Sequence, residues 1–428
     1  MPLAEDVARF SSVRTVETPV ELDLAVTRIL REDEERVVQF LDLAGRPAVG
    51  NLWASRARIC ESLGVSREKL PFAVLDAIRH PISEEMTKDA GFLEGEIPEF
   101  NLLDDLPAPR WYPDEPGRYL TSAIVAAEWE GKRNLSYHRM LILDRDGLVA
   151  RLVPRHLRSM MEAALEHGEE IPIAIFVGAP LPVLLAGATS LEYDSDELHI
   201  AASLTRGTTA ESLKAVKLRN GVTVPADCEY VMEARITGET HEEGPFVDGT
   251  GTYDRARQEP VIRVTRFYRR PDAIYHLILS GGQEHHQLMG MPREPLIYEA
   301  VTRVVPHVAG VRLTEGGSSW LHGVVAIRKQ HEGDGKNAIL AALSGHTSMK
   351  RVVIVDEDID IYDDQDVEWA EATRFQADRD LVVIEGAKGS SIDPSAGETT
   401  AKMGLDATKP LGQPEFEKPR LQPGNRPR

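Results

Sequence analysis

Val222-Thr-Val-Pro-Ala-Asp-Cys-Glu-Tyr-Val-Met-Glu-Ala-Arg235 is rich in β-branched and aromatic residues, the composition of an extended, half-buried chain. Similar apolar or alternating runs fall at 122–127, 139–143, 171–177, 261–268 and 274–279, with Gly and Pro turns between them. One amphipathic helix interrupts the series. Leu157, Met160, Met161, Ala164 and Leu165 recur at helical spacing, and Gly168 closes it. Many strands with a single helix between about 119 and 282 predict a barrel or barrel-like sheet.

Either side of this stretch the pattern is α/β. Upstream, Arg36-Val-Val-Gln-Phe-Leu41 reads as a strand, Ala44-Gly-Arg-Pro47 as a turn and Val49-Gly-Asn-Leu52 as a second strand. A helix follows over 55–63, stopped by Gly64, and Ser66 caps another that carries Leu70, Phe72, Val74, Leu75 and Ile78. Residues 98–117, rich in proline and acid, read as a surface linker. Downstream, strands at 322–329, 351–355 and 381–384 alternate with helices at 336–343 and 367–374. The expected division is an N-terminal α/β domain over 1–115, a split-β-barrel domain over 116–305 and a C-terminal α/β domain over 306–400. A C-terminal arm or disordered tail is expected over 401–428, where Pro, Gly and charge replace a continuous apolar face.

At 428 residues the chain is too long for one ordinary core. Its 42% hydrophobic and 28% charged residues are those of a globular protein. A formal charge of −20 argues against nucleic acid or an anionic membrane as partner. Cys60 and Cys228 are too few and too far apart for a disulfide framework or a thiolate cluster. The N-terminus has no secretory pattern and no apolar run reaches membrane-spanning length, so a cytoplasmic protein is expected.

Chemistry concentrates in two stretches. Glu243-Gly-Pro-Phe-Val-Asp248 sets two carboxylates five residues apart around a Gly-Pro turn, and Asn134-Leu-Ser-Tyr-His-Arg139 supplies an amide and a guanidinium. An arginine fixes the orientation of one carboxylate and lowers its pKa, while a neighbouring carboxylate stays available for proton transfer. A polar turn and a sheet-edge arginine are the plain alternatives. Asn134, His156 and Glu197 form a mixed oxygen and nitrogen set suited to Mn²⁺ or Mg²⁺ rather than structural zinc. Their plain alternatives are a helix-starting histidine and a solvated turn glutamate. The acidic run Asp356-Glu-Asp-Ile-Asp360 lacks the glycine of an EF-hand loop, since Ile361 holds the sixth position. Ala387-Lys-Gly-Ser-Ser391 lacks P-loop spacing.

Taken together, Asn134 with Arg139, Val224-Pro-Ala-Asp-Cys-Glu229 with Glu233, and Glu243-Gly-Pro-Phe with Asp248 resemble the UbiD family of decarboxylases that use prenylated FMN. Asp272-Ala-Ile-Tyr-His276, Val355-Asp-Glu-Asp-Ile-Asp360 leading to Thr373-Arg374, and Gly389-Ser-Ser-Ile-Asp-Pro-Ser395 extend the resemblance from about 37 to 395. It implies that Asn134, His156 and Glu197 bind a metal that bridges to the cofactor phosphate, typically Mn²⁺, with K⁺ a further candidate ion. It also implies that Arg139, Glu243 and Asp248 form the acid–base network beside the flavin, and Arg139 belongs to the cofactor site as well. The family pattern often has glutamate where this chain has Asp248. Arg139 would orient the substrate carboxylate and hold Glu243 ionised, and Asp248 would return a proton after carbon dioxide leaves.

Gly281-Gly-Gln-Glu-His-His286 and Met291-Pro-Arg-Glu294 are similar to an archaeal branch of the family. That similarity implies an α,β-unsaturated acid substrate, trans-anhydromevalonate 5-phosphate, decarboxylated to isopentenyl phosphate in isoprenoid biosynthesis. Arg293, His285 and His286 are then the cationic candidates for its phosphate. An aromatic or heteroaromatic acid is the competing substrate class. An oxidoreductase with unmodified FMN and a non-catalytic oligomerisation module are readings of other classes. A flavin prenyltransferase as cofactor supplier and a homodimer or homohexamer complete the partners that the resemblance implies.

Overall fold

A computed structural model of the chain describes residues 3–193 and 195–418. It divides into two compact units, residues 1–292 and 293–428.

The first unit is built on an eight-stranded antiparallel sheet of split-barrel type. Its order is Tyr119–Leu120, Met140–Ile142, Gly147–Ala150, Arg257–Arg269, Tyr230–Glu243, Ile171–Val177, Ile124–Trp129 and Lys132–Tyr137. The two longest strands pair with each other, and the register slips after Glu233 and again after Ile236. Such bulges bend a strand and sharpen its twist. Ile171, Ile173, Ile175 and Val177 point into one core with the helix His156–Glu166. Ala174 and Phe176 point into another, with the helices Leu181–Gly187 and Glu197–Thr209. Burial on both faces is why 171–177 is apolar throughout instead of alternating.

Those two further helices correct the expectation of a single one. Leu181-Pro-Val-Leu-Leu-Ala-Gly187 is buried along its whole length, so it has no polar face to reveal its period. Glu197–Thr209 is announced by Asp196, whose carboxylate accepts from the Leu198 and His199 amides at 3.0 and 3.3 Å, the geometry of an N-cap. The run 222–235 is likewise two strands, Thr223–Pro225 and Tyr230–Glu243. Proline ends the first of them, because it has no N–H to continue a ladder.

A second sheet in this unit has the order Val13–Val16, Val37–Leu43, Arg46–Gly50 and Tyr275–Leu277. Its hairpin turns on Ala44 and Gly45 alone, with φ of 50° and 79°, so Pro47 lies inside the strand rather than in the turn. The fourth strand comes from the run 274–279, expected in the barrel. It pairs in parallel with Arg46–Gly50 instead, a non-local choice that no local pattern encodes. The helix Arg56–Leu63 ends where expected. Gly64 adopts φ 65°, its amide donates to Glu61 O, and Val65 N donates to Cys60 O, a Schellman cap. The next helix begins at Leu70, not at Ser66. Ser66 opens a turn in which the Lys69 and Leu70 amides donate to its carbonyl, and Pro71 occupies the first helical turn, where a missing N–H costs nothing. Phe72 is exposed. Residues 98–117 are no surface linker, since Leu102, Leu106, Ala108 and Trp111 are buried in the core.

The second unit carries a sheet ordered Val308–Leu313, His322–Ile327, Arg351–Asp356, Thr400–Ala407 and Leu381–Ala387. The expected helices appear as Asp334–Gly345 and Asp364–Arg374. Residues 401–407, assigned by composition to a tail, instead form a strand between Arg351–Asp356 and Leu381–Ala387. Gly404 reads as a breaker but is required there, because a Cβ would stand 2.1 Å from the Ile339 side chain. Residues 419–428 lie outside the described residues. No described helix is long and apolar enough to cross a membrane.

Candidate active site

Arg139 immediately precedes the strand Met140–Ile142, and its guanidinium meets three carboxylates. Nε and Nη2 each donate to Glu243 at 2.9 Å, one to either oxygen. Nη1 donates to Asp248 at 2.7 Å and Nη2 to Asp254 at 3.1 Å. Glu243 is fully buried, whereas the Asp248 side chain keeps 24% of its surface. Burial opposes the charge on Arg139, but its carboxylate partners outweigh that and raise its pKa further. The arginine is therefore a fixed cation. Asp254 is pushed up by burial, yet its hydrogen bonds from Arg257 and the charge of Arg139 hold it below the usual carboxylate range. Asp254 and Arg257 escape a reading of the sequence. They lie across a hairpin in which Phe246 pairs with Asp254 and Glu243 with Arg257, a register fixed by folding.

Several contacts hold Asp248 in place. Gly244 adopts φ 94°, and a Cβ there would come within 3.2 Å of Ala256, so the turn after Glu243 requires glycine. Its amide donates to the Tyr119 hydroxyl at 3.1 Å. The Phe246 ring lies under the Arg139 guanidinium at 4.6 Å and beside Tyr119. Buried Glu115 accepts from the amides of Trp111 and Tyr112 at 2.9 and 3.1 Å and from Val247 at 3.5 Å. Desolvation raises its pKa to about 7. Gly281, at φ 65°, passes so close that a Cβ would touch the backbone of Asp248 and Gly251 at 3.2 and 3.1 Å.

The structure brings Asn134 and Glu197 together. Glu197 Oε1 lies 3.3 Å from the Asn134 amide, and Oε2 accepts from Leu135 N at 2.9 Å. Glu197 is buried at the start of its helix rather than in a solvated turn, and burial raises its pKa to about 7. Arg133 ties the two segments by donating to Asp196 and Glu84 at 2.6 Å each. His156 opens its own helix, with its ring edge-on to Tyr193, and burial, helped by Arg155, lowers its pKa. No three His, Cys, Asp or Glu side chains among the described residues converge to hold a metal ion. The expected set contains only two of those types beside its amide.

His285 and His286 lie on the helix Gln283–Gly290. His286 Nε2 donates to Gly249 O at 2.7 Å, and His285 Nδ1 accepts from Gly281 N at 3.2 Å. Burial lowers the His285 pKa to about 4, against the charge of Asp248. Glu284, which precedes them, is structural: it takes the amides of Leu52 and Trp53 and pairs with His276 at 2.7 Å. In the second unit, the Arg293 guanidinium stacks 5.0 Å from the Trp320 ring.

Three segments match the UbiD family of 3-octaprenyl-4-hydroxybenzoate carboxy-lyases: its N-terminal domain over 5–78, its Rift-related domain over 85–283 and its C-terminal domain over 286–407. A protein of Aeropyrum pernix named anhydromevalonate phosphate decarboxylase is 44% identical over 93% of this chain and 91% of its own. Its namesake in Methanocaldococcus jannaschii is 43% identical over 94% and 97%. The UbiD-class enzyme HmfF from Pelotomaculum thermopropionicum, solved in complex with FMN, superposes with a TM-score of 0.93 at 34% identity, covering 98% of this chain and 97% of that one. An evolved dimeric form of HmfF in complex with prFMN gives 0.90 at 32%, with the same coverage.

Proposed function

The chain belongs to the UbiD family of carboxy-lyases, and on that premise we propose that it decarboxylates trans-anhydromevalonate 5-phosphate to isopentenyl phosphate with prenylated FMN. The observation that carries the chemistry is Arg139 forked onto buried Glu243 while also holding the more accessible Asp248. The relatives in Aeropyrum and Methanocaldococcus support the substrate.

Bound prenylated FMN supplies an electron sink for the carbon that loses carbon dioxide. Arg139 orients the substrate carboxylate and fixes the Glu243 carboxylate by two parallel hydrogen bonds. Asp248, turned partly toward solvent, delivers the proton that replaces the lost carboxyl group. Its side chain is one methylene shorter than glutamate, so it depends on the close contacts of its loop to reach the reacting carbon. His285 carries no charge at neutral pH beside Asp248, so Arg139 is the fixed cation that Asp248 meets. Asn134, Glu197 and His156 would hold Mn²⁺, with K⁺ as a second ion. Asn134 and Glu197 fit that role, since two buried oxygen-bearing side chains meet without an arginine or lysine between them. A flavin prenyltransferase supplies the cofactor, and the protein acts as a homodimer or homohexamer in the cytoplasm.

The test is the absorption spectrum and mass of the flavin bound to protein co-produced with a flavin prenyltransferase, together with its metal content. Prenylated flavin with one Mn²⁺ per chain supports the reading. Unmodified FMN bound without metal dependence, with consumption of nicotinamide cofactor, replaces it by the oxidoreductase reading.

A further inference from the structure

Beside the Asn134–Glu197 pair runs a chain of polar contacts whose protons can be counted. His138 Nδ1 lies 2.9 Å from the Arg151 carbonyl oxygen. A carbonyl only accepts, so Nδ1 carries a proton. His138 Nε2 lies 2.9 Å from Ser136 Oγ, and Ser136 Oγ lies 2.9 Å from the Asn134 side-chain amide. The other end of that amide faces Glu197 Oε1 at 3.3 Å. His138 is buried, and desolvation together with the charge of Arg151 takes its pKa to about 4, so the ring is neutral near pH 7.

A neutral imidazole protonated at Nδ1 offers only a lone pair at Nε2. Ser136 has one hydroxyl proton, and it goes to that lone pair. The hydroxyl then has only lone pairs for Asn134, which must meet it with the amide NH₂. The amide oxygen is thereby turned toward Glu197. The structure places the amide the other way round, with its nitrogen donating to Glu197 and its oxygen accepting from Ser136. That placement spends the hydroxyl proton on Asn134 and leaves His138 Nε2 facing Ser136 with no proton between them. Amide nitrogen and oxygen exchange by rotation about one bond, so the network selects the orientation.

We propose that Ser136 and His138 are positioning residues that turn the Asn134 amide oxygen toward Glu197, so that two oxygens converge and hold a divalent cation. This rests on the decarboxylase reading above and deepens its metal site. An amide oxygen and an ionised carboxylate oxygen at 3.3 Å repel each other unless a proton or a cation lies between them, and a cation there displaces the proton, which is the chemistry of a hard, oxygen-liganded metal. Groups that orient a metal ligand in this way change metal affinity about 10- to 100-fold when removed.

The experiment titrates Mn²⁺ into the full-length protein in the presence of FMN, reading free Mn²⁺ by electron paramagnetic resonance and bound FMN separately by its visible absorbance. Ser136→Ala and His138→Phe are expected to weaken Mn²⁺ binding about 10- to 100-fold, while Ser136→Thr, which keeps the hydroxyl, restores it. Circular dichroism checks the fold, and if His138→Phe fails to fold, Ser136→Ala decides alone. Unchanged Mn²⁺ affinity in Ser136→Ala overturns the proposal, as does a wild type that binds FMN but no Mn²⁺. A wild type that binds neither takes down the decarboxylase reading, and this proposal with it.

Discussion

Replacing Arg139 by lysine separates charge from geometry. The guanidinium makes four hydrogen bonds, two at 2.9 Å to Glu243, one at 2.7 Å to Asp248 and one at 3.1 Å to Asp254. An ammonium group keeps the positive charge but has no planar fork, so it satisfies one carboxylate well and leaves the others short. Charge-assisted hydrogen bonds contribute about 1.5–3 kcal/mol each. Losing two and recovering part of one costs about 2–3 kcal/mol net, which for a unit of this size lowers the unfolding midpoint by roughly 5 °C. The same loss of about 2.7 kcal/mol, felt at Asp248 and the substrate carboxylate, lowers kcat/KM about 100-fold. Thermal unfolding and product formation by cofactor-loaded Arg139→Lys measure the two effects. A variant with wild-type turnover would show that the fork does no chemical work. Arg139→Ala should be worse, because a fully buried Glu243 is left uncompensated at about 3–5 kcal/mol.

Asp248→Asn should abolish turnover while leaving flavin bound, with a small drop in unfolding temperature from the weakened hydrogen bond to Arg139, and substantial turnover would remove Asp248 from proton delivery. Glu115 has a pKa raised from 4.5 to about 7 by burial. The folded state therefore holds its proton longer than the unfolded state, and stability falls as pH rises from about 4.5 to 7, on the order of 3 kcal/mol. Glu115→Gln should make that slope shallower, with Glu197 supplying what remains, and an unchanged slope would show that Glu115 contributes nothing to it. Gly281→Ala places a Cβ against the Asp248 and Gly251 backbone at φ 65°, at a cost of about 1–2 kcal/mol in backbone conformation alone. It should lower turnover more than flavin binding; equal losses in both would mean that the crossing positions the cofactor rather than Asp248.

Legibility in the sequence followed the range of the interactions. The runs 171–177 and 351–355 are apolar because both faces are buried, and they form strands where their composition places them. The helix His156–Glu166 shows its period because one face meets the core and the other does not. The helix at 181–187 hides its period by being buried all round, and the strand at 400–407 hides behind Gly404, which is present to let Ile339 approach. Arg139, Glu243 and Asp248 were legible as residue types in a suggestive spacing, and the structure joins them in one ion-pair cluster. Asp254, Arg257 and Glu115 were not, since each reaches the cluster through a hairpin register or a buried loop. Asn134 and Glu197 are 63 residues apart, and only the docking of the helix Glu197–Thr209 on the sheet makes them neighbours.

The central claim is tested most directly by supplying trans-anhydromevalonate 5-phosphate to the protein carrying prenylated FMN and measuring carbon dioxide and isopentenyl phosphate. Equimolar release of both, with no nicotinamide consumed and none of it in Asp248→Asn, is the predicted result. A flavin-loaded protein that leaves the phosphorylated acid intact while decarboxylating an aromatic acid would contradict the substrate, and one that decarboxylates neither would contradict the account.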